Sequence, residues 1–234
     1  MADEPVRVLT VTAHPDDTEF GFGGTIARWA DEGRLIWYCI GTNGDKGTSD
    51  RSLTPPQLAA IRQKEQLAAA KTLGVQDVFF LGYPDGELEE TREFLGKVVR
   101  VIRQVRPDIV ITMNPYPVTR FVQHRDHRIA GQVAIDAVYP FARDHLHFPE
   151  HLAEGLEPHK VGELYISGTE SSDTVVDISG YIDRKIEALR CHRSQMQNAD
   201  TPDFAERFKM NAARSGEPFG VSMAETFRRI ELRR

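Results

Sequence analysis

Short apolar runs alternate with stretches of helical spacing along this chain, and charged residues gather where one gives way to the other. "VRVLTVTA" (6–13) reads as a buried strand, followed by a helix from about Thr18 to Glu32. "RLIWYCIG" (34–41) is a second strand. A polar, Gly-rich loop then leads to "PPQLAAIRQKEQLAAAKTLG", where Leu58, Ile61, Leu67 and Leu73 mark a helix that stops at Gly74. "DVFFLGY" (77–83), a helix from about Leu88 to Val105, and "PDIVITMN" (107–114) continue the alternation. "GELYISG" and "DTVVDISG" are later strands, and "YIDRKIEALRCHRSQ" is a late helix. Strands separated by helices of this length imply right-handed βαβ units. The expected fold class is therefore α/β: a single Rossmann-like domain with a mostly parallel sheet flanked by helices. From Tyr139 to Lys160 the pattern breaks into Pro, His and acidic residues, which reads as a lid-like excursion. From Asn198 the chain reads as irregular, polar and Phe-bearing. This divides it into a core (1–198) and a C-terminal tail (199–234) that packs on the core or on a neighbouring subunit of a homo-oligomer.

Composition narrows the class without naming it. The 234 residues, 40% hydrophobic and 27% charged, suffice for one domain with a sizeable core. A net charge of −6 argues against a polyanion-binding surface, so no nucleic acid partner is expected. The start, "MADEPVRV", lacks the regions of a signal peptide, and no apolar run approaches the ~20 residues that span a bilayer. Cys39 and Cys191 lie in apolar or helical patterns and read as packing residues rather than a disulfide framework. The expectation is a soluble, cytoplasmic protein with no membrane partner.

The chemistry begins where the first apolar run stops, at "AHPDDTEFGFGGT". An aspartate at a helix start caps free amides and suits the dipole, which explains one carboxylate but not two. The glycines match a dinucleotide fingerprint poorly. His14, Asp16, Asp17 and Glu19 precede them, and those carboxylates would repel a pyrophosphate. Gly21, Gly23 and Gly24 are better read as allowing a tight turn and close helix–sheet packing. A second cluster, "FVQHRDHR", follows the strand "DIVITMN". His124 and His127 share one face of a helix at i, i+3, and adjacent parallel strands would bring them to the rim that holds His14 and Asp17. Asp126 can bond an imidazole N–H and fix its tautomer. His14, Asp17 and one histidine of the pair form a two-His, one-carboxylate set with open positions, as in catalytic Zn²⁺ sites. Fe²⁺ uses the same ligand types. Asp16 then stands free to take a proton from a bound water whose pKa is lowered to about 7.

"AHPDD" with a later "HRDH" resembles the LmbE-like, or PIG-L, family of zinc-dependent N-acetylglucosamine deacetylases. The similarity runs on through "TNGDKG", "IRQKEQLAAAKTLGV", "LGYPDGEL" and "KIEALRCHRSQ", so it covers most of the chain. The resemblance implies that His14, Asp17 and His127 bind zinc and that Asp16 is the general base. It implies that His124 polarises the acyl oxygen and protonates the leaving amine, with Asp126 orienting it. It makes Asp45, Arg62 and Asp85 candidates for gripping sugar hydroxyls. Asp45 stands where the family often has the longer Glu. The implied substrate is an amino sugar carrying an N-acetyl group, hydrolysed to acetate and a free amine.

Other readings stay beside this one. Asp45 and Asp85 sit in turn sequences, and Arg62 with Glu65 could be a surface helix pair. His145, His147 and His151 read as solvated or loop-packing residues rather than a second metal site, and His192 as a packing or capping residue. The loop "NPYPVTRFVQ" has unusual content and takes no assigned role. An amidase acting on thiol conjugates would share these motifs. A non-haem Fe²⁺ oxygenase would use the same triad but has no need of Asp16. A metal-dependent binding module would leave the acid–base residues dispensable.

Overall fold

The structure, a computed structural model, describes residues 4–116, 122–196 and 198–233. In β1 (Arg7–Thr12), Val8 packs into the apolar layer on one side of the sheet and Leu9 and Val11 into the layer on the other. That period-two pattern with both faces buried belongs to a central parallel strand. α1 (Asp17–Asp31) follows, and β2 (Leu35–Thr42) pairs with β1 in parallel. α2 (Pro55–Leu73) opens on a Thr54–Gln57 capping box and stops at Gly74, whose φ of 80° ends the helix. β3 (Asp77–Tyr83) lies outside β2. The chain then crosses back through α3 (Arg92–Val105) to β4 (Ile109–Met113), on the other flank of β1.

α4 (Arg125–Asp136), a π-helical turn over Ala137–Phe141 and α5 (Pro149–Ala153) lead to β5 (Glu163–Ser167), parallel to β4. β6 (Thr174–Asp177), α6 (Ile182–Arg190), α7 (Pro202–Gly216) and β7 (Ala224–Glu231) complete the chain. The strand order is β3-β2-β1-β4-β5-β7-β6, and β7 runs antiparallel to both its neighbours. α1, α2, α6 and α7 cover one face, and α3 and α4 the other. Among the described residues, no helix is long and apolar enough to cross a membrane.

The order reverses between β1 and β4, and an open α/β sheet binds ligands in the crevice at such a switch point. Two glycines set the approach of helices to this crevice. A Cβ at Gly131 of α4 would lie 2.3 Å from the Met113 carbonyl oxygen, so only glycine lets α4 press onto the end of β4. A Cβ at Gly24 would meet Ile178 at 2.7 Å, the close helix packing expected of the glycine run.

Two expectations about segments need correction. The tail is not irregular: α7 buries Phe204, Phe208 and Ala212 on one stripe, and β7 is hydrogen-bonded inside the sheet. The excursion at 139–160 does not cover the crevice. Arg103 of α3, fully buried, donates to the carbonyls of Phe141, Ala142, Asp144, His147 and Phe148 and holds the segment against α3. Within it, His151 stacks on Phe148 and His147 packs against Phe141, so these two serve packing, while His145 is exposed. Of the loop "NPYPVTRFVQ", residues 117–121 lie outside the described residues.

Candidate active site

Past the end of β1 the chain turns sharply, and the main-chain N–H groups of Ala13 and His14 donate to Asp17 Oδ2 at 3.1 and 2.7 Å. Asp16, between them, has a left-handed backbone (φ 92°), uncommon outside glycine. It is held from two sides. Its N–H donates to Gln66 Oε1 at 2.9 Å, and its carboxylate accepts from Arg62 Nη2 at 3.2 Å. Arg62 also donates to the carbonyls of Pro15 and Gly44. α2 therefore fastens the turn through two residues one helical turn apart.

α4 supplies the opposite wall. His124 caps its start: Nδ1 accepts the main-chain N–H of Asp126 at 3.1 Å. His127 Nε2 lies 3.1 Å from Asp17 Oδ1. His14 stands at the centre, with Nδ1 3.5 Å from Asp17 and Nε2 3.1 Å from Asp85 and 3.3 Å from Asp126. Asp126 is fully buried and also accepts the N–H groups of Gly86 and Leu88. The cleft enclosed by these groups has a volume of about 640 Å³.

Crowded carboxylates shift the titration of the site. Burial opposes charge on His14, but hydrogen bonds to Asp126, Asp17 and Asp85 outweigh it and push its pKa up to about 12. Burial also opposes charge on Asp17, yet His127 and His14 hold its pKa far below the usual carboxylate range. Asp16 moves the other way: burial and the Asp17 charge raise it to about 7, against the pull of Arg62 and His192. Burial and the neighbouring His14 lower His124, so its ring is neutral at neutral pH.

These donors could hold a metal ion. His14, His124 and His127 each offer a ring nitrogen within 4.8 Å of the others, and His14, Asp85 and Asp126 form a second such group. Asp17, touching both His14 and His127, completes the mixed nitrogen and oxygen set. Three carboxylates crowd His14, those of Asp17, Asp85 and Asp126, and their negative charge favours a cation in the pocket.

The sequence-derived site residues divide into those that meet and those that do not. His14, Asp16, Asp17, Arg62, Asp85, His124 and His127 all line the cleft. Asp45 does not: its carboxylate accepts the Asp85 N–H at 2.8 Å and braces that loop from behind. Arg62 is no surface pair with Glu65, which instead binds Ser194, and its guanidinium is committed to Asp16 and two carbonyls. Asp126 orients His14 rather than His124 with its carboxylate, reaching His124 only through its main-chain N–H. Gln66, Phe20 and Gln195 went unnoticed in the sequence. Gln66 was accessible there, one turn after Arg62, whereas Gln195 reaches the cleft only through the late fold.

Residues 9–138 match the family model described as PIG-L, GlcNAc-PI de-N-acetylase. A diacetylchitobiose deacetylase of Thermococcus kodakarensis is 37% identical over 189 residues, 81% of this chain and 70% of that protein. A probable N-acetyl-alpha-D-glucosaminyl L-malate deacetylase 2 of Bacillus cereus is 31% identical, over 82% of this chain and 84% of that one. The solved N,N'-diacetylchitobiose deacetylase from Pyrococcus horikoshii superposes with a TM-score of 0.89 at 33% identity, covering 97% of this chain and 85% of that one.

Proposed function

The chain belongs to the PIG-L (LmbE-like) family, whose named members are amide-hydrolysing deacetylases, and from that premise we propose that it removes the acetyl group of an N-acetylglucosaminyl substrate with a Zn²⁺ held by His14, Asp17 and His127. The observation that carries this reading is the convergence of those three side chains at the β1/β4 crevice with a further carboxylate, Asp16, held beside them by Arg62. When bound, the metal supplies Lewis-acid polarisation of the acyl group and acidification of a water molecule.

The chain's own residues do the rest. Asp85 and Asp126 accept from His14 Nε2, which leaves Nδ1 as the nitrogen turned toward Asp17. Asp16 takes the proton of the attacking water. Burial and the Asp17 charge raise its pKa against the pull of Arg62, which favours a carboxylate that accepts that proton and passes it to the departing amine. His124 is neutral, and because Nδ1 accepts a main-chain N–H, its hydrogen sits on Nε2. That N–H donates to the acyl oxygen as negative charge develops there, a contribution of about 3 kcal/mol for a well-placed donor. Asp85, on the cleft wall, is positioned to accept from a sugar hydroxyl. Asp16 is thus the proton carrier and His124 the oxyanion donor, and the products are acetate and the free amino sugar.

The test is amine release from N-acetylglucosamine and its glycosides by metal-stripped protein reloaded with Zn²⁺ or Fe²⁺, beside an Asp16→Ala control. Zinc-restored release that falls by about 10²–10⁴-fold in the control is the expected result. Near-normal turnover by metal-loaded Asp16→Ala overturns the assignment.

A further inference from the structure

α1 is two helical pieces joined at Phe22, whose φ of −152° and ψ of 28° leave the helical region. The first piece, 17–21, carries Asp17, and the second, 23–31, runs on to the end of the helix. A helix that restarts leaves its first N–H groups without intrahelical acceptors. β7 supplies them. Glu225 Oε1 accepts the Gly24 N–H at 3.0 Å, and Oε2 accepts the Thr25 N–H at 2.6 Å. In an unbroken helix those two groups would donate to the carbonyls of Phe20 and Gly21. Glu225 therefore stands in for the first piece and lets the two pieces part. A carboxylate at that point also suits the positive end of the helix dipole.

The cap is built into the fold. Glu225 is 6% exposed, and its Oε1 also accepts from Lys185 Nζ of α6 at 2.5 Å. Lys185 is equally buried, and its stem crosses Gly23, where a Cβ would lie 3.3 Å from Lys185 Cγ. Phe227, two residues from Glu225 and so on the same face of β7, sets its ring edge-on to that of Phe22, with centroids 6.1 Å apart. β7 thus grips the break twice, with Phe227 at the bend and Glu225 at the restart.

The break sets the direction of the first piece. Both oxygens of Asp17 face groups on other elements, Oδ1 toward His127 of α4 and Oδ2 toward His14. A swing of the first piece about Phe22 would move that carboxylate away from both histidines. Thr18 and Glu19 tie the piece to Thr10 of β1 and Gln66 of α2, and Glu225 fixes it from beyond the bend. We propose that Glu225 is a positioning residue for the metal site: its carboxylate holds the break in α1 that aims Asp17, and Lys185 keeps that carboxylate in the interior. The proposal rests on the reading of Asp17 as a metal ligand.

The experiment measures zinc affinity by chelator competition, the Tm of the metal-free proteins, and hydrogen exchange at Gly24 and Thr25. The proteins are the wild type, Lys185→Met, Glu225→Ala, Asp17→Ala, and a double variant joining Glu225→Gln to Lys185→Met. Lys185→Met breaks a buried ion pair but leaves the carboxylate on both N–H groups, so Tm falls while zinc Kd stays within about twofold of the wild type. Glu225→Ala removes the cap and raises zinc Kd about tenfold, the low end of the effect of losing a group that orients metal ligands. Its Gly24 and Thr25 amides exchange faster. The double variant keeps a neutral oxygen for one of the two N–H groups, and its Kd lies between. A Glu225→Ala protein that binds zinc as the wild type does, or a Kd that follows Tm alike in Lys185→Met and Glu225→Ala, overturns the proposal. Where Glu225→Ala does not fold, the double variant decides, and a wild-type Kd there overturns it. Wild-type protein that binds zinc no more tightly than Asp17→Ala refutes the metal reading itself, and the proposal with it.

Discussion

Replacing Arg62 with methionine tests the electrostatic design of the site directly. Arg62 Nη2 lies 3.2 Å from Asp16 Oδ2, and both side chains are largely buried. Unit charges about 4 Å apart interact by about 4 kcal/mol at an effective dielectric near 20, and about 1.4 kcal/mol corresponds to one pH unit. Relaxation and water entering the vacated space reduce this, so the pKa of Asp16 is expected to rise by about one to three pH units. The sign is fixed by the chemistry. Burial and Asp17 already raise Asp16 to about 7, and Arg62 opposes them. Its removal pushes Asp16 higher still, and a base works only when ionised. The acid limb of kcat/KM therefore moves to higher pH, and rate lost at neutral pH returns as the pH is raised. A bound cation lowers the pKa of Asp16 in both proteins, so the difference between the two profiles is the quantity read.

Arg62→Lys separates charge from shape. A lysine keeps the positive charge but, as a compact ammonium, cannot reproduce the fork that serves Asp16, Pro15 and Gly44 together. Its acid limb is expected near that of the wild type, with a lower kcat. The assay is amine release by metal-loaded, folded protein across the pH range. An acid limb in Arg62→Met within about 0.3 pH units of the wild type, with KM raised instead, would refute the reasoning and make Arg62 a sugar-gripping residue.

Two further outcomes follow from the same geometry. Arg103→Met strips five carbonyls of one shared donor, and with charged hydrogen bonds contributing about 1.5–3 kcal/mol each but not additively, a loss of about 3–5 kcal/mol is expected in urea unfolding. A loss below about 1 kcal/mol would show that the 139–160 segment is held by something else. Chelation of the metal abolishes amine release and lowers Tm by about 5–10 °C, because a ligand held at a hundred times its Kd adds about 2.7 kcal/mol to a chain of this size. Identical melting with and without chelator and zinc would count against a metal in this cleft.

The parts of the site that were legible in the sequence lie where a strand stops. "AHPDD" and "HRDH" announce themselves because charged residues break an apolar run, and the strand-end rule then places them on one rim. Asp126 was misassigned because adjacency in sequence favours His124 or His127, whereas the turn at Gly86 and Leu88 brings its carboxylate beneath His14. Asp45 was misassigned for a similar reason: a turn aspartate can face a ligand or its own loop, and here it braces Asp85. The tail was misread for a different one. Phe204, Phe208 and Ala212 carry the helical spacing, but Arg and Glu dominate "AETFRRIE", and a strand whose Glu225 is buried through Lys185 does not look like a strand. Periodicity reports apolar burial, and these elements are fixed partly by buried polar pairs.

The same distinction explains why a motif near the end of the chain belongs with one at the start. Asp16 holds a backbone conformation that costs about 1–3 kcal/mol for a residue with a side chain, and such strain persists only where the surroundings over-determine it. Gln66 takes the Asp16 N–H on its Oε1 and donates from Nε2 to Glu19 at 3.0 Å. Glu19 in turn faces His192 Nε2 at 3.3 Å, and all three side chains are fully buried. Burial opposes charge on His192, but Glu19 holds its pKa above the usual value. A buried Glu19 carboxylate without these partners would be costly. The segment "CHRSQ" thus supports the turn at "HPDD" from beneath, with Ser194 tied to Glu65 of α2 and Gln195 to Gly47 beside the cleft. Two stretches separated by most of the chain are one polar scaffold, and its purpose is legible in what it holds in place: the strained residue whose carboxylate lines the cleft with His14, Asp17 and His127.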